Sequence, residues 1–295
     1  MRLSRTTRGA LAPVARARTV FNLAWYEFLA IFLILAGDGL LFTGYSVLYA
    51  GVQALNIIWV AIIVVALHDE RVQLVKALAL ISVFGVVSFS FGHVSIIYSL
   101  ATVGVMCLPL ILVIPSVSLY VWVAFYGVMY IPIIAIVAHR KLSRHDLGLT
   151  GGLRLTYLIP FGTLVGVGIG LIEYIILGKN PLIPSASASE LIGLSIVMIF
   201  FVALVEELLF RVLLQPQFIE RSGAVAGILI TSVLFGALHA IYGNFYELLF
   251  TMGAGVVFGV AFYKTKNLPF VVTMHAVDDI LLFGVLPFLP LALPH

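Results

Sequence analysis

From residue 23 to residue 289 the chain is a succession of apolar runs, most of them about 20 residues long, separated by short loops that hold most of the lysine and arginine. A helix needs about 20 apolar residues to cross the hydrocarbon of a bilayer, and a chain built this way has few alternatives to a bundle of spanning helices. Of the 295 residues, 62% are hydrophobic and 10% charged, against about 25% charged in a soluble domain. Spans are expected near 23–45, 50–67, 77–92, 95–114, 117–138, 155–177, 194–218, 224–242, 245–263 and 268–289. The expected fold is an all-α, polytopic membrane bundle of nine or ten transmembrane helices with a polar cavity inside its C-terminal half. Pro115, Pro181, Pro184 and Pro287 fall near span ends, whereas Pro109, Pro132 and Pro160 should kink their helices or shift a boundary.

Basic loops orient such a bundle. HRKLSRHD at 139–146, Arg221 in its turn and KTKN at 264–267 can all lie on the cytoplasmic side, because the spans between them come in pairs. The basic N-terminal arm, residues 1–22, and the loop at 68–76 also read as cytoplasmic. Three apparent spans then separate residues 77 and 138, so one is re-entrant or merged, or the charge rule fails there. The composition break at 139–153 divides an N-terminal bundle, 23–138, from a C-terminal core, 154–290, with 139–153 as a cytoplasmic linker. The single cysteine, Cys107, lies in an apolar run and excludes a disulfide framework within one chain. A net charge of +3 spread over short clusters gives no support to nucleic-acid binding.

Against this background "VEELLFR" at 205–211 stands out, with two glutamates and an arginine inside an otherwise lipid-soluble helix. Ionisable groups at membrane depth are expensive and mark buried or wet functional sites. Glu207 and Arg211 are four apart and share a face, while Glu206 is turned about 100° away, leaving one glutamate to pair and one free. The next span carries FGALH, with Phe235 and His239 four apart, and the last carries HAVDD, with His275 on a face with Asp279. Glu206 lies 15 residues before Arg221, His239 18 after it, and His275 9 after Lys266. At 1.5 Å per residue these offsets are roughly 22, 27 and 14 Å of depth, so the three motifs share a central layer.

EExxxR, FxxxH and HxxxN/D, in that order on separate membrane helices, resemble the CAAX prenyl protease and bacteriocin-processing (Abi) family over about residues 146–290, including the LGLTGG approach. The resemblance implies an intramembrane glutamate-type endopeptidase. Glu206 and His239 would activate water, His275 and Asp279 would form or support the oxyanion site, and Glu207, Arg211 and Phe235 would order it. It implies no cofactor, a membrane-associated or prenylated polypeptide as substrate, and an integral, multi-pass protein whose cavity opens to the cytoplasmic side. Prenyl-protease members place asparagine where this chain has Asp279, and an ionised aspartate cannot donate to an oxyanion. Zinc held by two histidines and a glutamate is the alternative mechanism, though no HExxH is present. A proton-coupled transporter or a silent membrane scaffold is the alternative outside enzymes.

Other intramembrane polar residues have simpler readings. Glu27 and Asp38, three turns apart on one face of the first span, are expected to turn into the bundle and be hydrogen-bonded there. Glu173 and Glu247, near span ends, are expected to be solvated at the non-cytoplasmic interface. Asp278 is expected to cap or solvate the cavity beside Asp279.

Overall fold

The computed structural model of the chain describes residues 23–67, 72–86, 119–150, 155–178, 180–242 and 244–290. The basic arm at 1–22, the span expected at 95–114, Cys107 and the glycine pair of the linker lie outside the described residues. The described residues are helical, with no strand among them. The helices are α1 (Trp25–Phe42), α2 (Ser46–Leu67), α3 (Gln73–Val86), α4 (Leu119–His139), α5 (Leu155–Leu177), α6 (Ala188–Ser222), α7 (Ala224–Ala237), α8 (Phe245–Thr265) and α9 (Leu268–Phe288). Seven of them are long and apolar enough to cross a membrane, and α3 and the α7 region are shorter apolar helices. The chain is an integral, multi-pass membrane protein. The run expected at 224–242 is divided, because α7 ends at Ala237 and a 3-10 turn, Leu238–Tyr242, carries His239.

Local chemistry sets several of these boundaries. The carboxylate of Glu27 accepts the N–H of Ala24 and closes the first turn of α1. Asn244 caps α8 by accepting from the N–H groups of Tyr246 and Glu247, and Asn267 caps α9 by accepting from Phe270 N, with Pro269 in the first turn. Pro132 and Pro160 lie inside α4 and α5, which continue through them. At 35 residues α6 is about 52 Å long, more than the hydrocarbon needs. Its polar tail, Gln215–Ser222, accounts for much of the excess at the end that carries Arg221.

Two packing arrangements position the last helix. Gly162, Gly166 and Gly170 form a stripe at four-residue spacing on α5 that lies against α9. A Cβ at Gly166 would sit 2.4 Å from the carbonyl oxygen of Met274, so only glycine allows the backbones this close. The loop before α5 docks on the start of α9: Leu268 N donates to Gly148 O at 3.0 Å, with Gly148 in the left-handed region at φ 68°. The halves of the chain share one apolar core, from Ile34 on α1 and Met129 on α4 to Phe210 on α6 and Leu282 on α9.

In the N-terminal half, Asn56 donates to Ala30 O at 3.3 Å and Ser82 Oγ at 2.8 Å, joining α2 to α1 and α3. Gln53 donates to Ile34 O and to Asp38 Oδ1, both at 3.3 Å. Glu27 pairs with Arg221 at 3.1 Å. Both acids of the first span therefore turn inward, as their spacing implies.

Candidate active site

Leu204–Glu207 is a single α-helical turn of α6, set between two π-helical stretches, Met198–Ala203 and Leu208–Leu214. A third π-helical stretch, Leu281–Val285, follows Asp279 on α9. Such wide turns recur at functional sites, since they redirect side chains and loosen the regular carbonyl ladder. One loosened carbonyl, that of Phe200, accepts the hydroxyl of Tyr130 on α4. Hydropathy carries no signal for these stretches, because a π turn keeps the apolar composition of its helix.

The two glutamates diverge as their spacing requires. Glu207 is fully buried; its Oε2 accepts from Arg211 Nε at 2.8 Å and its Oε1 meets His275 Nδ1 at 3.0 Å. Arg211, also fully buried, lies over the Phe235 ring with its guanidinium carbon 4.9 Å from the centroid. Glu206 is 3% exposed; Oε1 accepts the hydroxyl of Tyr126 at 2.6 Å, and Oε2 has no hydrogen-bond partner. That free oxygen faces His275 Nε2 at 3.9 Å, and Asp279 Oδ2, likewise without a hydrogen bond, faces the same nitrogen at 3.7 Å.

The spacing on α9 allows Asp279 to take the imidazole N–H, but the structure gives that hydrogen bond to Glu207. At 3.7 Å the His275–Asp279 contact is an ion-pair distance and too long for a hydrogen bond. Glu207, held by Arg211, is an acceptor, so Nδ1 carries hydrogen and Nε2 points at Glu206 and Asp279. The ring is fixed by Phe258, nearly parallel to it at 5.3 Å, and by Phe235, edge-on at 5.7 Å. Phe235 also meets His239, 5.2 Å between centroids, so both histidines pack against one phenyl ring. His239 Nδ1 lies 3.1 Å from Phe235 O. A carbonyl only accepts, so Nδ1 bears the hydrogen and a neutral His239 presents Nε2 as a base. The motif residues of three helices thus form one cluster around Phe235 and His275.

Two positions differ from expectation. Glu173 is 6% exposed and Glu247 fully buried, rather than solvated at an interface. The packing of α5 and α8 with α9 encloses them. Asp278, 4% exposed, lies against Gly170 of α5. A recess of about 280 Å³ between Ile199, Phe200 and Leu204 of α6 and Pro269, Val272 and Thr273 of α9 is apolar. No group of three His, Cys, Asp or Glu side chains among the described residues is placed to hold a metal ion.

Tyr126, which contacts Glu206 directly, is not evident from motif spacing. Its one signal is a phenol in the middle of the apolar run WVAFYGVMY, since a buried tyrosine hydroxyl needs a partner.

Residues 188–281 match the family model described as Rce1-like, type II CAAX prenyl endopeptidase. That segment is Rce1-like. The matched segment holds Glu206, Glu207, Arg211, Phe235, His239, His275 and Asp279, and it identifies the chain as a protease, a hydrolase of peptide bonds. It is shorter than the 146–290 over which the motifs and their approach resemble the family, and leaves out α1 to α5. No curated protein and no solved structure matches the chain. The Rce1-like segment thus receives Tyr126 from outside its own limits, and α9 is seated by the glycine stripe of α5, also outside them.

Proposed function

We propose that this chain is a glutamate-type intramembrane endopeptidase that cleaves a membrane-associated polypeptide, with Glu206 as general base. The observation that carries the reading is the state of Glu206: buried, clamped at one oxygen, and presenting the other, without a hydrogen bond, toward His275. In the proposed reaction Glu206 Oε2 takes a proton from water while the water oxygen bonds to the scissile carbonyl carbon. The carbonyl electrons move onto oxygen; when that oxyanion collapses, the C–N bond breaks and the proton passes from Glu206 to the leaving amine. His239 Nε2 accepts from the same water and orients it. His275 already donates Nδ1–H to Glu207, so donation from Nε2 to the oxyanion requires the doubly protonated ring, flanked by Asp279 and Glu206. Glu207 and Arg211 hold that ring in place.

The substrate is read as a polypeptide tethered at the bilayer surface, entering from the side of the basic loops. Glu206→Gln preserves shape and removes the base. With purified full-length protein and a membrane-tethered fluorogenic peptide, cleavage should fall about a thousandfold, within the range of general-base contributions, at unchanged melting temperature. Cleavage at the wild-type rate would refute the assignment. Water activation is proposed to be metal-free, so exhaustive chelation should leave the rate unchanged. Activity lost on chelation and restored by stoichiometric zinc would replace this mechanism with the metal one.

A further inference from the structure

The Rce1-like segment does not contain every group that touches Glu206. Tyr126 projects from α4, 80 residues earlier in the chain, and its hydroxyl donates to Glu206 Oε1 at 2.6 Å within buried surroundings. The phenol ring has little freedom: the indole of Trp122 is nearly parallel to it at 5.8 Å, and Phe84 of α3 meets it at 5.2 Å with an interplanar angle of 71°. Trp122 leans in turn on Phe283 of α9, 6.4 Å between centroids. Three helices therefore fix the direction of one O–H bond.

We propose that Tyr126 is a positioning residue of the active site, holding Glu206 Oε1 so that Oε2 alone faces His275 and the reacting water. The inference rests on the reading of Glu206 as general base. A glutamate in a helix has three side-chain torsions, and an unclamped carboxylate would present either oxygen in several directions. A hydrogen bond to one oxygen removes that freedom before substrate arrives, which is how a site is kept preorganised. A phenol is suited to the task in hydrocarbon, being neutral, with an apolar body that packs and a single polar tip. Around Glu206 the other charged or titratable groups are Glu207 and, through it, Arg211 on its own helix, and His275 and Asp279 on α9. On this reading the N-terminal half supplies part of the active site and is more than an anchor.

The test compares Tyr126→Phe, Glu206→Gln and the wild type, as full-length protein in bilayer nanodiscs with a membrane-tethered fluorogenic peptide. For Tyr126→Phe, kcat should fall about tenfold with KM changed less than about twofold, in line with loss of one hydrogen bond to a charged group. Wild-type kcat, with Glu206→Gln inactive, would overturn the Tyr126 inference alone. An active Glu206→Gln would instead overturn the general-base reading. Should Tyr126→Phe fail to fold, 3-fluorotyrosine at 126 decides the matter, since it keeps the ring and hydroxyl and strengthens the donor. A kcat displaced from the wild-type value at unchanged KM supports the inference, and wild-type kcat overturns it.

Discussion

Two of the groups of polar side chains buried among the described residues are built differently. In the N-terminal half Gln53, Asn56 and Ser82 join α1, α2 and α3 through amide and hydroxyl bonds, with Asp38 as the ionisable member. In the C-terminal half Glu206, Glu207, Arg211, His275 and Asp279 converge from α6 and α9. Both groups leave oxygens without hydrogen bonds, Asp38 Oδ2 in the first and Glu206 Oε2 and Asp279 Oδ2 in the second. An unsatisfied oxygen is therefore not by itself the mark of a site. The second group is set apart by two such oxygens aimed at one imidazole nitrogen, inside a frame of ion pairs and aromatic rings that stops them from turning away.

Matched substitutions sharpen or erase that distinction. The largest contrast should be between Glu206→Gln, which removes about a thousandfold of the cleavage rate, and Asp38→Asn, which should stay within about twofold of wild type. Loss of cleavage in a folded Asp38→Asn protein would place chemistry in both halves. Next, Glu207→Gln leaves Arg211 buried without its anionic partner and should destabilise the protein by about 3 kcal/mol or more, measured by denaturation in detergent. A change below about 1 kcal/mol would mean that cation–π contacts alone hold Arg211.

Much of this contrast is legible in the order and spacing of the residues. The i, i+4 pairing of Glu207 with Arg211 and the sharing of one layer by Glu206, His239 and His275 follow from helical period and rise, which the surrounding apolar runs guarantee. The inward turn of Glu27 and Asp38 follows in the same way. Partners from distant helices are not legible there. Asp279 is on the correct face for His275, yet Glu207 holds the imidazole hydrogen, because the approach of α6 to α9 brings a carboxylate to Nδ1 at 3.0 Å while the Asp279 contact stays at 3.7 Å. Glu173 and Glu247 are near span ends by sequence, and the packing of neighbouring helices buries them.

Smaller effects are expected where amides join helices. Asn56→Leu should lower stability by about 1–2 kcal/mol, the scale of lost hydrogen bonds and of the unpaired Ser82 hydroxyl, with activity per folded molecule unchanged. Reduced kcat at constant KM would couple this half more tightly to the site than Tyr126 alone requires. The smallest effect should lie in the loop that docks on α9. There Asp146 accepts from Ser143 N at 2.8 Å and Ser143 Oγ at 2.7 Å, and these bonds hold its carboxyl below the usual carboxylate range. A depressed folded value stabilises the loop above the unfolded value of about 4, and that stabilisation is lost as pH falls through the folded value. The protection factor for hydrogen exchange at Ser143 should therefore be high at neutral pH and fall in acid, and Asp146→Asn should lower it at neutral pH, with cleavage unaffected. Equal protection in that variant would assign the loop's order to its contact with Leu268 instead.

Hydropathy alone made this chain a membrane helix bundle, since hydrocarbon leaves a backbone no other way to satisfy its N–H and C=O groups in a segment of this length. Helical period alone separated a paired glutamate from a free one. Both are local consequences of composition and spacing. The direction in which Glu206 points, the tyrosine that holds it and the atom to which His275 donates its Nδ1–H were decided by tertiary structure. Each depends on how closely two helices far apart in sequence approach, and that distance is set by side-chain volume at their contacts, down to the missing Cβ of Gly166 against Met274.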